Sequence, residues 1–383
     1  MNKEPLRFKN GKFKIMLIGD LHDKYNLKEN NGKLKAEDTM ALLTKAADEL
    51  KPDLAIYLGD NTSADNEMQM RSSISRIVRP FTTRNIPFAV IFGNHDHDRT
   101  DGVDLPTQMK LFNEHKECYF FNADDSLTGY GNYNLLIKSE NSDKDILNLW
   151  FIDSNNLYEN REISYYDWVH EDQIQWYKKT AAEIADKNGG KPVPALLFQH
   201  APVPEEYELL RKAKPWEHYD AVPGHGKWSD TMYVLKDGVE GYMGEGPCSP
   251  CVNSGEFEAW KETGDIMGAF FGHDHMNDFA GYVDGILLAQ SKTAGFFPYT
   301  DGCRTGVRLI TLEENNVENF TTRMYYFKKD FGLRAKSLSP YMRHVTDRQD
   351  LKLKAAYKVI GAAAAVTVTA LAVNKAVKVF NNK

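Results

Sequence analysis

An α/β fold built around parallel strands is what this sequence predicts, and two observations carry the prediction. Short apolar runs recur, each closed by turn residues: FKIMLI (13–18), LAIYL (54–58), IPFAVIF (86–92), ILNLWFI (146–152), ALLF (195–198) and MGAFF (267–271). Runs that stay apolar at successive positions belong to strands buried on both faces. Between the first of them lie helical patterns, and strand–helix–strand order means parallel pairing, because a parallel partner requires a crossover. Composition agrees: 42% hydrophobic and 26% charged residues exclude disordered and fibrous classes. With 383 residues the chain can bury a sizeable core.

Taken in order, the first run is followed by AEDTMALLTKAADEL (36–50), which sets Met40, Leu43, Ala47 and Leu50 on one stripe. EDQIQWYKKTAAEIADK (171–187) does the same with Ile174, Tyr177, Ala181 and Ile184. Residues 213–265 are rich in glycine, proline and aromatics and sustain no period, so a substrate loop or lid is expected there. Beyond residue 280, GILLAQ, TGVRLITL and FTTRMYYF follow one another with no helix between, which predicts a second, more antiparallel portion of sheet. The four cysteines are too few for a disulfide scaffold, and CSPC (248–251) is a single CxxC without the second pair of a zinc site. The first twenty residues show no apolar leader with a small-residue cleavage site, so cytoplasmic residence is the expectation. A formal charge of −7 advertises no nucleic-acid-binding surface.

The chemistry sits where the strands stop. LIGDLHD, YLGDN, IFGNHDHD, LFQHAP and FFGHDH each convert an apolar run into a polar cluster. In open α/β sheets the carboxyl ends of strands hold ligands, so one locus would collect Asp20, His22, Asp60, Asn94, His95, His200, His273 and His275. Imidazoles mixed with oxygen donors suit transition metals rather than calcium. Asp20 and His22, like His273 and His275, are two apart, and in extended backbone each pair projects to one face. That is more donors than a single ion accepts. The reading is two ions bridged by Asp60, one taking Asp20, His22 and His275, the other Asn94, His200 and His273. The glycines before Asp20, Asp60, Asn94 and His273 are read as sharp turns bringing backbone close to the site.

The order D-x-H, GD, GNH, H, G-H-x-H resembles the calcineurin-like metallophosphoesterases, and GNHDHD with FFGHDHMNDFAGY resembles the purple-acid-phosphatase-like branch. The resemblance covers roughly residues 13–326. It implies a two-sheet sandwich flanked by helices in α/β/β/α layers, a dinuclear centre and hydrolysis of phosphate esters. It also implies the ligand partition and the bridge just given. Two departures stand out. Purple acid phosphatases have glycine where this chain has His22, and a metal-bound tyrosine where it has Ser63. Without the tyrosinate no purple colour is expected, and Mn, Fe or Zn all remain compatible. The arginine that follows the second block in serine/threonine phosphatases is also missing.

The expected function is therefore a metal-dependent phosphohydrolase in which a metal-bridging hydroxide attacks phosphorus in line. His95, next to Asn94, is the expected proton donor to the leaving group, with Asp96 as its orienting partner. Two alternatives stay open: a cyclic-nucleotide or other phosphodiesterase, and a non-catalytic metal-bearing scaffold. His97 and His225 are weaker candidates for reaching substrate.

Residues 1–340 are read as the catalytic domain and 341–383 as a basic, Ala/Val-rich helical tail. Residues 351–383 hold six lysines and no acid, leaving a net −13 on the 350 residues before them. The uncharged run Val359–Val373 is 15 residues long, short of the roughly 20 that span a bilayer. Val359, Val366, Val373 and Phe380 fall seven apart, on one helix face. Three readings stand: a short membrane anchor, an interfacial helix on anionic lipid, and a helix that docks on the domain or self-associates.

Overall fold

The computed structural model describes residues 3–98, 103–217, 220–300, 302–340 and 342–344, together with helical stretches between 356 and 373. Two sheets face each other. The first contains β1 (Lys12–Ile18), β3 (Leu54–Leu58), β5 (Phe88–Ile91), β15 (Gly306–Glu313) and β16 (Thr321–Tyr326), in the order β16-β15-β1-β3-β5. A small parallel pair, β2 (Asp23–Lys24) with β4 (Thr62–Ser63), extends beyond its β1 and β3 strands. The second sheet contains β6 (Tyr133–Lys138), β7 (Asp145–Phe151), β8 (Ala195–Gln199), β12 (Ile266–Phe271), β13 (Ala280–Val283) and β14 (Ile286–Gln290), in the order β13-β14-β12-β8-β7-β6. Between β8 and β12 the chain builds a three-stranded sheet from β9 (Leu210–Lys212), β10 (Val222–Pro223) and β11 (Met232–Leu235).

Both large sheets are parallel at the centre, β1-β3-β5 in one and β7-β8-β12-β14 in the other, and antiparallel only at their margins. The core follows the pleat. On β8, Leu196 and Phe198 join the cluster shared with the first sheet, whereas Ala195 and Leu197 turn outward; on β12, Phe270 points in and Ala269 and Phe271 out. Period-2 alternation thus feeds two separate apolar layers from one strand. α1 (Gly32–Leu50) and α2 (Glu67–Thr82) contribute Leu42, Leu43, Ile74 and Ile77 to the first cluster. α4 (Glu171–Lys187) and α5 (Glu256–Thr263) contribute Ile174, Tyr177, Phe257 and Trp260 to the second. A short helix, α3 (Leu105–Phe112), follows β5. This is the expected sandwich with flanking helices.

Three expectations change. The segment 213–265 is not devoid of regular structure, since it holds β10, β11 and α5. The antiparallel pairing expected after residue 280 is present in β13–β14 and β15–β16, but it is divided between the two sheets: β14 also pairs parallel to β12, while β15 inserts antiparallel beside β1. Nothing local distinguishes those partners; the choice is made by which sheet edge is open. On α1 the buried stripe includes Ala36, Thr39, Leu42, Leu43 and Ala46 as well as Ala47 and Leu50, and Met40 is only partly covered.

Candidate metal centre

The donors converge because two loops are stitched together just past the strands. The amide of His22 donates to the Asp60 carbonyl at 2.8 Å and that of Asp23 to Asn61 at 3.0 Å, which carries the β1 and β3 loops forward as a pair. From the other sheet, the amide of Gly272 donates to the His200 carbonyl at 3.1 Å, and the His200 ring reaches across to the carbonyl of Leu58 at 2.7 Å. One edge of the sandwich therefore gathers strand ends from both sheets.

The sharp turns fall on the donors themselves rather than on the glycines before them. Asp20 (φ 46°), His22 (φ 44°), Asp60 (φ 52°) and His273 (φ 70°) all occupy the left-handed region, which side-chain-bearing residues enter at a cost of about 1–3 kcal/mol each. Mutual hydrogen bonds hold them there: the His273 amide donates to both Asp20 carboxylate oxygens at 3.0 and 3.1 Å, and the His95 amide to Asp60 Oδ1 at 2.8 Å. Of the four preceding glycines only Gly59 has positive φ (+89°). The others are required by close approach. A Cβ on Gly93 would lie 2.5 Å from the Asp60 amide nitrogen.

Asp60 is the centre of the arrangement. Its Oδ2 lies 3.3 Å from His22 Nε2 and 3.3 Å from His200 Nε2. Asp20, His22, Asp60 and His275 form one group whose donor atoms all lie within 4.8 Å of one another; Asp60, His200 and His273 form a second. Asn94 Oδ1 is 3.2 Å from His200 Nε2, and His273 Nδ1 is 3.2 Å from the same nitrogen. The structure thus brings six of the seven residues expected as ligands into the two expected groups, and sets Asn94 beside His200 of the second.

The donors are strongly coupled to one another. Burial works against ionising Asp60, but the adjoining His200 and His22 rings outweigh it and hold the carboxyl well below its ordinary range. Burial likewise opposes a charged His200, yet Asp60 and Asp20 push that ring up to about 10. Burial lifts Asp20 well above its usual value against the pull of His200. Burial, with His200 beside it, holds His273 far down, and burial with His22 holds His275 at about 3. Neutral rings direct lone pairs inward. The Nδ1 of His275 donates to the Tyr299 carbonyl at 3.2 Å, leaving its Nε2 as an acceptor 3.3 Å from His22 Nε2 and 3.7 Å from Asp20. A ring nitrogen tied to a backbone carbonyl while its partner faces inward is the usual support of a metal-binding histidine. Nitrogen and oxygen donors of this kind fit Mn, Fe or Zn.

The acid–base residues are placed differently from expectation. His95 stands at the rim, its side chain about half exposed (53%), with its ring 5.1 Å from that of His22. Asp96 does not touch the His95 ring. Its carboxylate is buried and accepts from the amides of Asn61 (3.0 Å) and Gly93 (2.9 Å) and from Asn61 Nδ2 (3.0 Å), so it pins the two ligand loops together. Side chains of consecutive residues diverge, and here the intervening turn sends Asp96 inward. The partner of His95 is Asp98, whose Oδ2 lies 2.5 Å from Nδ1. Sequence reasoning missed it, although an acid three residues along a turn was the available signal. His97 is paired with buried Asp153 at 3.1 Å.

Aromatic rings wall the centre. Tyr166 meets His273 edge to face at 4.4 Å, with His225 5.4 Å from Tyr166. Tyr299 lies 4.2 Å from His275 and its hydroxyl donates to Glu245 at 2.7 Å. Asn277 and Asp278 brace the loop at 242–245: Asn277 accepts from Gly244 and Glu245, and Asp278 from Tyr242, while the Asn277 side-chain amide also donates to Asp274, between His273 and His275, at 3.0 Å. Lys292 and Arg304 also pair with Asp278. Arg308 bonds the Gln290 and Asp278 carbonyls and is spent on structure.

The chain is similar to known proteins. The calcineurin-like phosphoesterase family model matches residues 13–277. Probable inactive purple acid phosphatase 29 of Arabidopsis thaliana is 26% identical over 341 residues, covering 82% of this chain and 80% of that protein. Probable inactive purple acid phosphatase 14, also from Arabidopsis thaliana, is 29% identical over 324 residues, 78% of this chain and 74% of the relative. Phosphatase DCR2 of Saccharomyces cerevisiae is 28% identical over 292 residues, 70% of this chain but 45% of its own length. Among solved structures, a dimetal phosphatase from Danio rerio is 12% identical with a TM-score of 0.46, over 82% of this chain and 99% of that one.

Proposed function

The chain belongs to the calcineurin-like phosphoesterase family, in its purple-acid-phosphatase-like branch, and from that premise we propose that it is a dinuclear metal-dependent phosphohydrolase. The observation that carries the reading is Asp60 Oδ2, equidistant from His22 and His200 and common to both donor groups. Asp20, His22 and His275 would hold one ion, Asn94, His200 and His273 the other, with Asp60 between them. Such ions, when bound, supply Lewis acidity toward phosphate oxygens and lower the pKa of water.

The rest belongs to the chain. His95, reachable from solvent and paired with Asp98, would give a proton to the departing alkoxide. Tyr166, His225 and Tyr299 bound the space over the donors, and the segment 213–265, which supplies His225 and whose Trp228 stacks on Tyr207 at 3.9 Å, would act as the substrate-selecting lid. The site's ligand set is equally compatible with phosphomonoesters and diesters. p-Nitrophenyl phosphate and its bis ester, assayed side by side on protein of known metal content, test the reading and separate the two. Turnover that requires about two ions per chain supports it.

A second reading is a metal-bearing scaffold without turnover, favoured by the words "probable inactive" in the names of two relatives. The full donor set and the His95–Asp98 pair weigh against it, since a structural site has no use for an exposed acid. Bound metal with no hydrolysis across the ester panel would establish the scaffold instead.

A further inference from the structure

The helical stretches between 356 and 373 bear an unusual load. Val359, Ile360, Val366, Val368, Leu371 and Val373 are each 56–70% exposed, and among the described residues only Met68 and Ile163 are comparably exposed aliphatics elsewhere. At about 100° per residue, and measured from Val359, Ile360 lies near 100°, Leu371 near 120°, Val368 near 180°, Val373 near 320° and Val366 near 340°. The large apolar side chains cover an arc of roughly 220°, about twice the stripe with which a helix docks on a protein core. Gly361, Ala362 and Thr369 occupy the remaining sector.

Val359, Val366 and Val373 fall within about 40° of one another, as their seven-residue spacing implies, and Ile360, Val368 and Leu371 widen the apolar arc beyond that face; Phe380 lies outside the described residues. Docking on the chain's own acidic body would have covered these six side chains. Spanning is also unsuited, because 15 residues rise only about 22 Å against a hydrocarbon core of about 30 Å, and no helix among the described residues is long and apolar enough to cross a membrane. In sequence the run is flanked by Lys352, Lys354 and Lys358 before it and Lys375, Lys378 and Lys383 after it, with no acid in 351–383. Basic residues beside an apolar helix are complementary to an anionic lipid surface, which adds to the attraction with each lysine.

We propose that this helix lies within the surface of an anionic bilayer, its wide apolar arc among the acyl chains and its narrow Gly/Ala/Thr sector toward the headgroups, without crossing. Vesicle flotation of the full chain tests this. The chain is expected to float with phosphatidylcholine vesicles containing phosphatidylserine at least about tenfold better than with phosphatidylcholine alone. The full-length double variant Val366→Asp, Leu371→Asp should stay at the bottom of the gradient, with its unfolding temperature unchanged because both side chains are exposed. Replacing Lys352, Lys354 and Lys358 by Glu should erase the preference for anionic vesicles. The proposal is overturned if the full chain floats with neither vesicle, or if the double aspartate variant floats as the parent does. Lipid-independent dimerisation that the aspartates abolish, seen by sedimentation, would overturn it too and assign the helix to a second copy of the chain.

Discussion

At His95 the ring has one nitrogen on Asp98 and lies at the open rim, beside the donor groups rather than among them. Replacing His95 by Ala is expected to lower kcat by about 10²- to 10⁴-fold while the metal content of the purified protein stays unchanged. Unaltered turnover would remove this residue from the chemistry. Asp96 and Asp98 should separate cleanly. Asp98→Asn should lower kcat with little effect on unfolding. Asp96→Ala leaves buried amides of Asn61 and Gly93 without an acceptor and should cost about 2–4 kcal/mol in urea unfolding. The donor residues were legible in the sequence because each follows an apolar strand; the partner of His95 was not, because adjacency in sequence does not fix where a side chain points across a turn.

Turns and helix ends carry the next set of expectations. Gly59 combines positive φ with a backbone packed so that a Cβ would stand 2.5 Å from His200 Nδ1 and 2.7 Å from the Gly93 amide. Gly59→Ala should therefore destabilise the fold by at least about 1–3 kcal/mol and weaken metal binding, measured by chelator competition. At the start of α5, Glu256 is buried, and that burial pushes its carboxyl up from 4.5 to about 8. In the unfolded chain it ionises near its ordinary value, so the folded state binds the extra proton between those two points. Its contribution to stability is complete below about pH 4.5 and is lost as pH rises through about 8. Glu256→Gln should flatten this part of the unfolding-temperature profile relative to the parent; parallel profiles would contradict the burial argument. α4 was predictable to its ends from its stripe, whereas α5 was hidden in a glycine- and proline-rich neighbourhood and is only eight residues long.

Across the whole molecule, the two sheets are joined at one edge by two overlapping groups of buried donors that share Asp60, held on four left-handed backbone positions. Metal that binds only the folded chain stabilises it by RT ln(1 + [L]/Kd), about 2.7 kcal/mol at a hundredfold excess over Kd. Chelation should thus lower the unfolding temperature and abolish hydrolysis together, and readdition of Mn, Fe or Zn should restore both. An unfolding temperature indifferent to chelator would mean that no ion resides there. By itself the sequence determined the strand runs and the candidate donors that close them, because burial demands apolar runs and metals favour particular atoms, and both demands are written residue by residue. Only the tertiary structure decided that β14 joins one sheet and β15 the other, that Asp98 and not Asp96 backs His95, and that the strained turns sit on the ligands. Those outcomes depend on which distant backbone lies alongside, and such proximity is a property of the packed chain that no local stretch encodes.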